Sequence, residues 1–173
     1  MRYLGNAHLN PHHENGDKNL MAVELAVSEA IIGEQLASCD ELVRDAKALL
    51  IAAEVSELEL SLSIVNDAEM RSLNKQWRDK DCTTDVLSFP QHDDLLLGDL
   101  VISIETAAKQ ASQRGHSTAD ELRILMVHGL LHLFGYDHEL GEDEYREMAE
   151  AEVRLMKKLC WRGAGLITVV ESQ

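Results

Sequence analysis

Leu58, Leu60, Leu62 and Ile64 alternate with Glu57, Glu59, Ser61 and Ser63. A period of two over this stretch predicts a strand that buries one face and wets the other. The period then lengthens. Asn66 or Asp67 can cap a short helix running to Trp77, with Met70, Leu73 and Trp77 at apolar helical spacing. Asp85 to Phe89 is expected to be a short strand ended by Pro90, and Asp99 to Ile104 another, after a turn at Gly98. Glu105 to Arg114 reads as a helix stopped by Gly115. Ser117 or Thr118 opens the most apolar helix of the chain, which runs to Phe134 with Gly135 as its stop. An acidic helix from about Glu142 to Leu159 follows.

Upstream, Met21 to Ala53 predicts two helices parted near Ser38 to Asp40, the second carrying Leu42, Val43, Ala46, Leu49 and Leu50 on one stripe. Residues 1–20 hold Gly5, Asn6, Asn10, Pro11, Asn15, Gly16 and Asp17 with little apolar periodicity, and are expected to be a flexible leader. His8, His12 and His13 fall there, where no fold fixes ligand geometry. No internal repeat or linker interrupts the rest. Residues 21–173 are therefore expected to form a single α+β domain.

Composition removes several classes of function. A chain of 173 residues is long enough to bury a real core. Its longest apolar run, Ala48 to Ala53, falls far short of the roughly 20 residues a membrane span needs. Cys39, Cys82 and Cys160 lie far apart and form no CxxC pair, which suits three ordinary thiols in a reducing compartment. The net charge of −15 gives no long-range pull toward nucleic acid. Any nucleic-acid partner must be held by a local basic surface or by the charge of a metal.

The chemistry concentrates in His128-Gly129-Leu130-Leu131-His132-Leu133-Phe134-Gly135-Tyr136-Asp137-His138. Residues at i and i+4 differ by about 40° around a helix, so His128 and His132 project from one face. Gly135 can take the left-handed conformation that turns the chain back, bringing His138 to the same point. Three neutral imidazoles leave a tetrahedral zinc with one open position, the arrangement of a catalytic site. A lone histidine on an apolar helix is more often a satisfied core residue. Two at this spacing would each need a buried partner, and a third just past the stop makes coincidence unattractive. The position after His128 is Gly129, where a peptidase of the HExxH type has its glutamate base. That glycine either opens space beside the metal for a bulky substrate or permits close helix–sheet packing. Asp137 either orients a histidine or is an ordinary turn residue.

A second stretch, Leu73 to Pro90, carries Lys75, Arg78 and Lys80 just after Arg71, a local basic excess despite Asp79 and Asp81. Arg78 can offer a planar fork to a phosphate; taken alone, the segment is more ordinarily a salt-bridged helix end.

These two segments, with Gly98-Asp99-Leu100-Val101-Ile102-Ser103 between them, resemble the YbeY family of bacterial and organellar endoribonucleases. The resemblance runs from about Leu58 to Leu159. It implies an α+β, zincin-like fold, a mixed β-sheet flanked by helices around a central metal-binding helix. It also implies one zinc per chain at His128, His132 and His138, with Arg78 important for catalysis. The expected activity is hydrolysis of single-stranded RNA, chiefly ribosomal RNA, in rRNA maturation and ribosome quality control, with ribosomes or ribosomal proteins as partners and no membrane. A zinc metallopeptidase-like hydrolase and a non-catalytic, zinc-binding ribosome module are the alternatives. Many bacterial members have Pro where this chain has Thr83, which bears on that loop's rigidity. Trp161-Arg162-Gly163-Ala164-Gly165-Leu166-Ile167 is similar to plant and algal chloroplast members, so the chloroplast stroma is the expected compartment, with the bacterial cytoplasm as the alternative.

Overall fold

The computed structural model describes residues 23–31, 38–91, 94–163 and 165–167. In chain order its elements are β1 (Val23–Val27), α1 (Cys39–Ala52), β2 (Glu59–Val65), α2 (Asp67–Arg78), β3 (Val86–Pro90), β4 (Leu96–Ser103), α3 (Ile104–Arg114), α4 (Thr118–Leu133) and α5 (Glu142–Lys158). The four strands pair in the order β1-β2-β4-β3. β1, β2 and β4 run parallel, and β3 lies antiparallel to β4 at one edge, so the sheet is mixed.

Strand alternation assigns the two faces. Leu60, Leu62 and Ile64 of β2 and Leu100 and Ile102 of β4 join a core with α1, α3, α4 and α5. Leu87 and Val101 point the other way and close over Met70 of α2, with Val65, Leu73 and Phe89 packed around them. The α+β fold is thus a mixed sheet flanked by helices, with α4 central. That helix is buried nearly all round, from Leu122 through Leu131 with only Arg123 less enclosed. A helix apolar on every side belongs inside a domain, and each fully buried Leu or Ile contributes about 1.5–3 kcal/mol of transfer free energy.

The described part of the first expected helix holds a strand, while residues 21–22 and 32–37 lie outside the described residues. The stretch Val23–Val27 is β1, paired in parallel with Leu60–Ile64, and its burial alternates. Val23, Leu25 and Val27 face the core on a period of two, which Glu24 and Ala26, good helix formers, had masked. The second expected helix is α1, capped by Ser38. Gly98 is no turn either. It lies within β4, paired with Leu60 and Pro90, where β2 shifts register. A Cβ there would strike the Phe89 carbonyl oxygen and come within 2.9 Å of Leu133 Cδ2. The expected leader, residues 1–20, lies outside the described residues, as do its three histidines.

Asn66 and Glu69 form a reciprocal capping box at the start of α2. Asp67, beside it, accepts hydrogen bonds from Ser103 Oγ, Thr106 Oγ1 and Thr83 Oγ1. Burial would raise its pKa, but these hydroxyls and Lys109 outweigh that and hold the carboxyl below its usual range. The bond from Thr83 is one that proline could not make, so the loop after α2 is fastened by a side chain instead of by a ring.

Candidate metal centre

The turn after α4 builds the site. Gly135 takes φ 87°, Tyr136 N donates to Leu131 O at 3.0 Å, and Gly135 N donates to His132 O at 3.0 Å. This pair of bonds is a Schellman motif, with Gly135 at its left-handed position. It reverses the chain so that the Tyr136 carbonyl lies 2.9 Å from His132 Nδ1. His138 follows and packs its ring 5.1 Å from that of His128 and 5.2 Å from that of His132. One ligand atom from each histidine lies within 4.8 Å of the others, a group that could hold a metal ion.

The tautomers follow from the partners. His128 Nδ1 is 2.6 Å from Glu152 Oε1, and both residues are buried. A carboxylate and a carbonyl can only accept, so His128 and His132 each carry their proton on Nδ1 when neutral. Their Nε2 lone pairs then face each other at 3.0 Å. Two acceptors at that distance repel unless a cation or proton lies between them. His138 Nδ1 is buried with no hydrogen-bond partner among the described residues, another ring nitrogen for which a cation would compensate. Burial, and then the charge of His128, push the His132 pKa down, which favours the neutral form that ligation requires. The donor set therefore fits a divalent transition metal.

Sequence reasoning missed Glu152. It is fully buried on α5, with Oε1 on His128 and Oε2 accepting from Ile167 N at 3.0 Å. The signal was present, since Met148, Glu152 and Met156 share one face at intervals of four, and both methionines are buried. Asp137, by contrast, is a turn residue whose Oδ1 accepts from Glu139 N at 2.9 Å. The choice at Gly129 also resolves. A Cβ there would lie 2.8 Å from Leu100 Cδ2 and 3.1 Å from Val86 Cγ2, so the glycine permits close helix–sheet packing.

The histidines open into a cleft of about 630 Å³, lined on one side by β3 and the end of α2 and on the other by the turn after α4. That volume lies within the roughly 300–1,000 Å³ of small-molecule sites. Arg78 lines it, as do Trp77, Asp85, Asp137 and Glu139. The local cations differ in how free they are. Arg71 and Lys75 both pair with Asp81, which holds that carboxyl down at about 2. Arg78 makes no ion pair among the described residues. Cys39, Cys82 and Cys160 are free and exposed. No helix among the described residues is long and apolar enough to cross a membrane.

Comparison with known proteins agrees with this geometry. The family model for endoribonuclease YbeY matches residues 25–160. The chain is 53% identical over 116 residues to the chloroplastic endoribonuclease YBEY of Arabidopsis thaliana, covering 64% of this chain and 20% of that protein. It is 44% identical over 124 residues to endoribonuclease YbeY of Aquifex aeolicus, covering 69% of this chain and 83% of the relative. The chain thus spans about a fifth of the plant protein and most of the bacterial one. A Thermotoga maritima protein of known solution structure superposes with a TM-score of 0.56 at 25% identity, over 79% of this chain and 88% of its own. With the family model matching most of its length and the histidine cluster assembled by the central helix and the turn that follows it in a zincin-like fold, this chain belongs to the YbeY endoribonuclease family.

Proposed function

We propose that residues 21–173 form a single zinc-dependent endoribonuclease domain that cuts single-stranded RNA, chiefly ribosomal RNA, in ribosome maturation and quality control. The observation that carries the metal is the pair of Nε2 atoms facing each other at 3.0 Å while both Nδ1 atoms are engaged elsewhere. His128, His132 and His138 hold one zinc per chain. A zinc ion bound there supplies Lewis-acid chemistry and acidifies water near neutral pH.

The remaining work falls to side chains of the cleft. Arg78, exposed and free of an ion pair among the described residues, binds a phosphate oxygen and neutralises the charge that builds during phosphodiester cleavage. Glu152 keeps His128 in its ligating tautomer, and the Tyr136 carbonyl does the same for His132. The acidic residues of the cleft oppose a polyanion, so binding rests on few contacts. Position 129 has no side chain to serve as a peptidase base and is packed against the sheet, which supports RNA over peptide as substrate. The chloroplast stroma is the compartment supported by the identity to the plant relative and by the segment Trp161 to Ile167, with the bacterial cytoplasm as the alternative.

The test is metal analysis of the purified chain combined with an RNA-cleavage assay. About one zinc per chain and chelator-sensitive cutting of single-stranded ribosomal RNA are expected. Cleavage of casein with RNA untouched would favour a peptidase, and zinc without any cleavage would favour a binding module on the ribosome.

A further inference from the structure

Trp77 is 62% exposed, although aromatic residues of this size usually contribute to a core. It occupies the last turn of α2, beside Arg78, and lines the cleft into which the histidines open. Its position is fixed from one side. The Phe89 ring meets it edge-on, with centroids 5.8 Å apart and planes at 64°, and Phe89 itself packs on Met70, Leu87 and Val101. Whichever ring supplies the edge, Phe89 can cover no more than one face of the indole, and the residue keeps 62% of its surface exposed. An exposed aromatic ring next to a guanidinium that makes no ion pair among the described residues matches what an unpaired nucleotide presents, a flat base attached to a phosphate.

Charge gives a reason for such a surface. The chain carries −15, and Asp85, Asp137 and Glu139 line the same cleft. Few phosphates can be neutralised there, so affinity for RNA must come largely from contacts that charge does not govern. Stacking on an aromatic ring is one, since every base has a π-face and no counterion is displaced.

We propose that Trp77 is the stacking platform for an unpaired nucleobase adjoining the phosphate held by Arg78, and that it gives this site its selectivity for single strands. The proposal rests on the endoribonuclease reading above. A base in a duplex is already stacked on both faces and cannot reach the indole without being pulled out of the helix.

The experiment uses the zinc-loaded full chain and a single-stranded oligonucleotide with 2′-O-methyl riboses, read by tryptophan fluorescence. Trp161, the other tryptophan, lies 5.8 Å from the Arg123 guanidinium and does not line the cleft. Trp161→Phe should therefore keep the quench seen in the parent, and Trp77→Phe should lose it while retaining most of the affinity. Trp77→Ala should raise the dissociation constant for the single strand about tenfold, the size of one lost base–aromatic stack. Its melting temperature, salt slope and duplex affinity should match the parent's. Arg78→Ala should do the reverse, flattening the salt slope and keeping the quench. A Trp77→Ala protein that binds the single strand as tightly as a parent that cuts RNA would overturn the stacking role alone. Equal loss toward single strand and duplex would overturn it as well. A parent that neither binds nor cuts RNA would overturn the endoribonuclease reading and this proposal together.

Discussion

His128 Nδ1 and Glu152 Oε1 lie 2.6 Å apart, and neither residue is more than 4% exposed. The carboxylate fixes the imidazole's tautomer and raises the basicity of the opposite nitrogen, so under the proposed zinc-binding role a residue 24 positions from His128 sets how well that histidine holds metal. Glu152→Gln nearly preserves shape and removes the charge. Zinc affinity, measured by competition with a chromogenic chelator, should fall about 10- to 100-fold. Unchanged affinity would reduce Glu152 to a tether for the C-terminal segment.

The three ligands should not be equivalent. His128 and His132 are held on one rigid helix, whereas His138 arrives from the turn beyond it. His128→Ala or His132→Ala should lose the zinc, and His138→Ala should weaken it without abolishing it. Elemental analysis of the three variants after dialysis checks this order. Full occupancy in the first two would remove the site.

Gly135 and Gly129 make opposite demands. A Cβ on Gly135 meets nothing within 4 Å among the described residues, so Gly135→Ala carries chiefly the conformational cost of φ 87°, about 1 kcal/mol. The same change should loosen zinc, because that turn positions the Tyr136 carbonyl and His138. Gly129→Ala forces a Cβ to 2.8 Å from Leu100 and should cost about 1–3 kcal/mol through overpacking. Denaturant melts of the metal-free proteins, paired with zinc titrations, separate the two effects.

Arg78→Ala should lower RNA cleavage sharply while zinc content and melting temperature stay at parental values, since Arg78 is exposed and makes no ion pair among the described residues. Arg78→Lys should recover only part of the rate, because an ammonium keeps the charge and loses the planar fork. Parental cleavage rates in Arg78→Ala would leave this arginine an ordinary surface residue.

Much of the site was legible because it depends on local sequence. The spacing of His128 and His132 follows from helix geometry and the return to His138 from the glycine stop at Gly135, and the structure brings these residues together as expected. The alternation in Leu58 to Ile64 likewise became β2. What escaped was non-local. β1 is a strand because β2 offers it a parallel partner, a fact no five-residue window contains. Glu152 resembles the other glutamates of α5 until its interval of four from Met148 and Met156 is noticed. Gly129 could be decided only once Leu100 and Val86 were seen beneath it. The basic stretch divided in a way that charge counting cannot show, with Asp81 taking Arg71 and Lys75 and leaving Arg78 to the cleft.

The two proposed helical ligands also differ in what evolution can do to their supports. His132 is oriented by the main-chain carbonyl of Tyr136, and every amino acid brings that group. Substitution at position 136 leaves the orienting atom in place provided that the turn keeps its shape. His128 depends on a carboxylate reaching from another helix, and a single codon change can remove it. Mutational drift around this centre should therefore be lopsided, with position 136 able to vary in side chain and position 152 held to glutamate as long as the metal is needed.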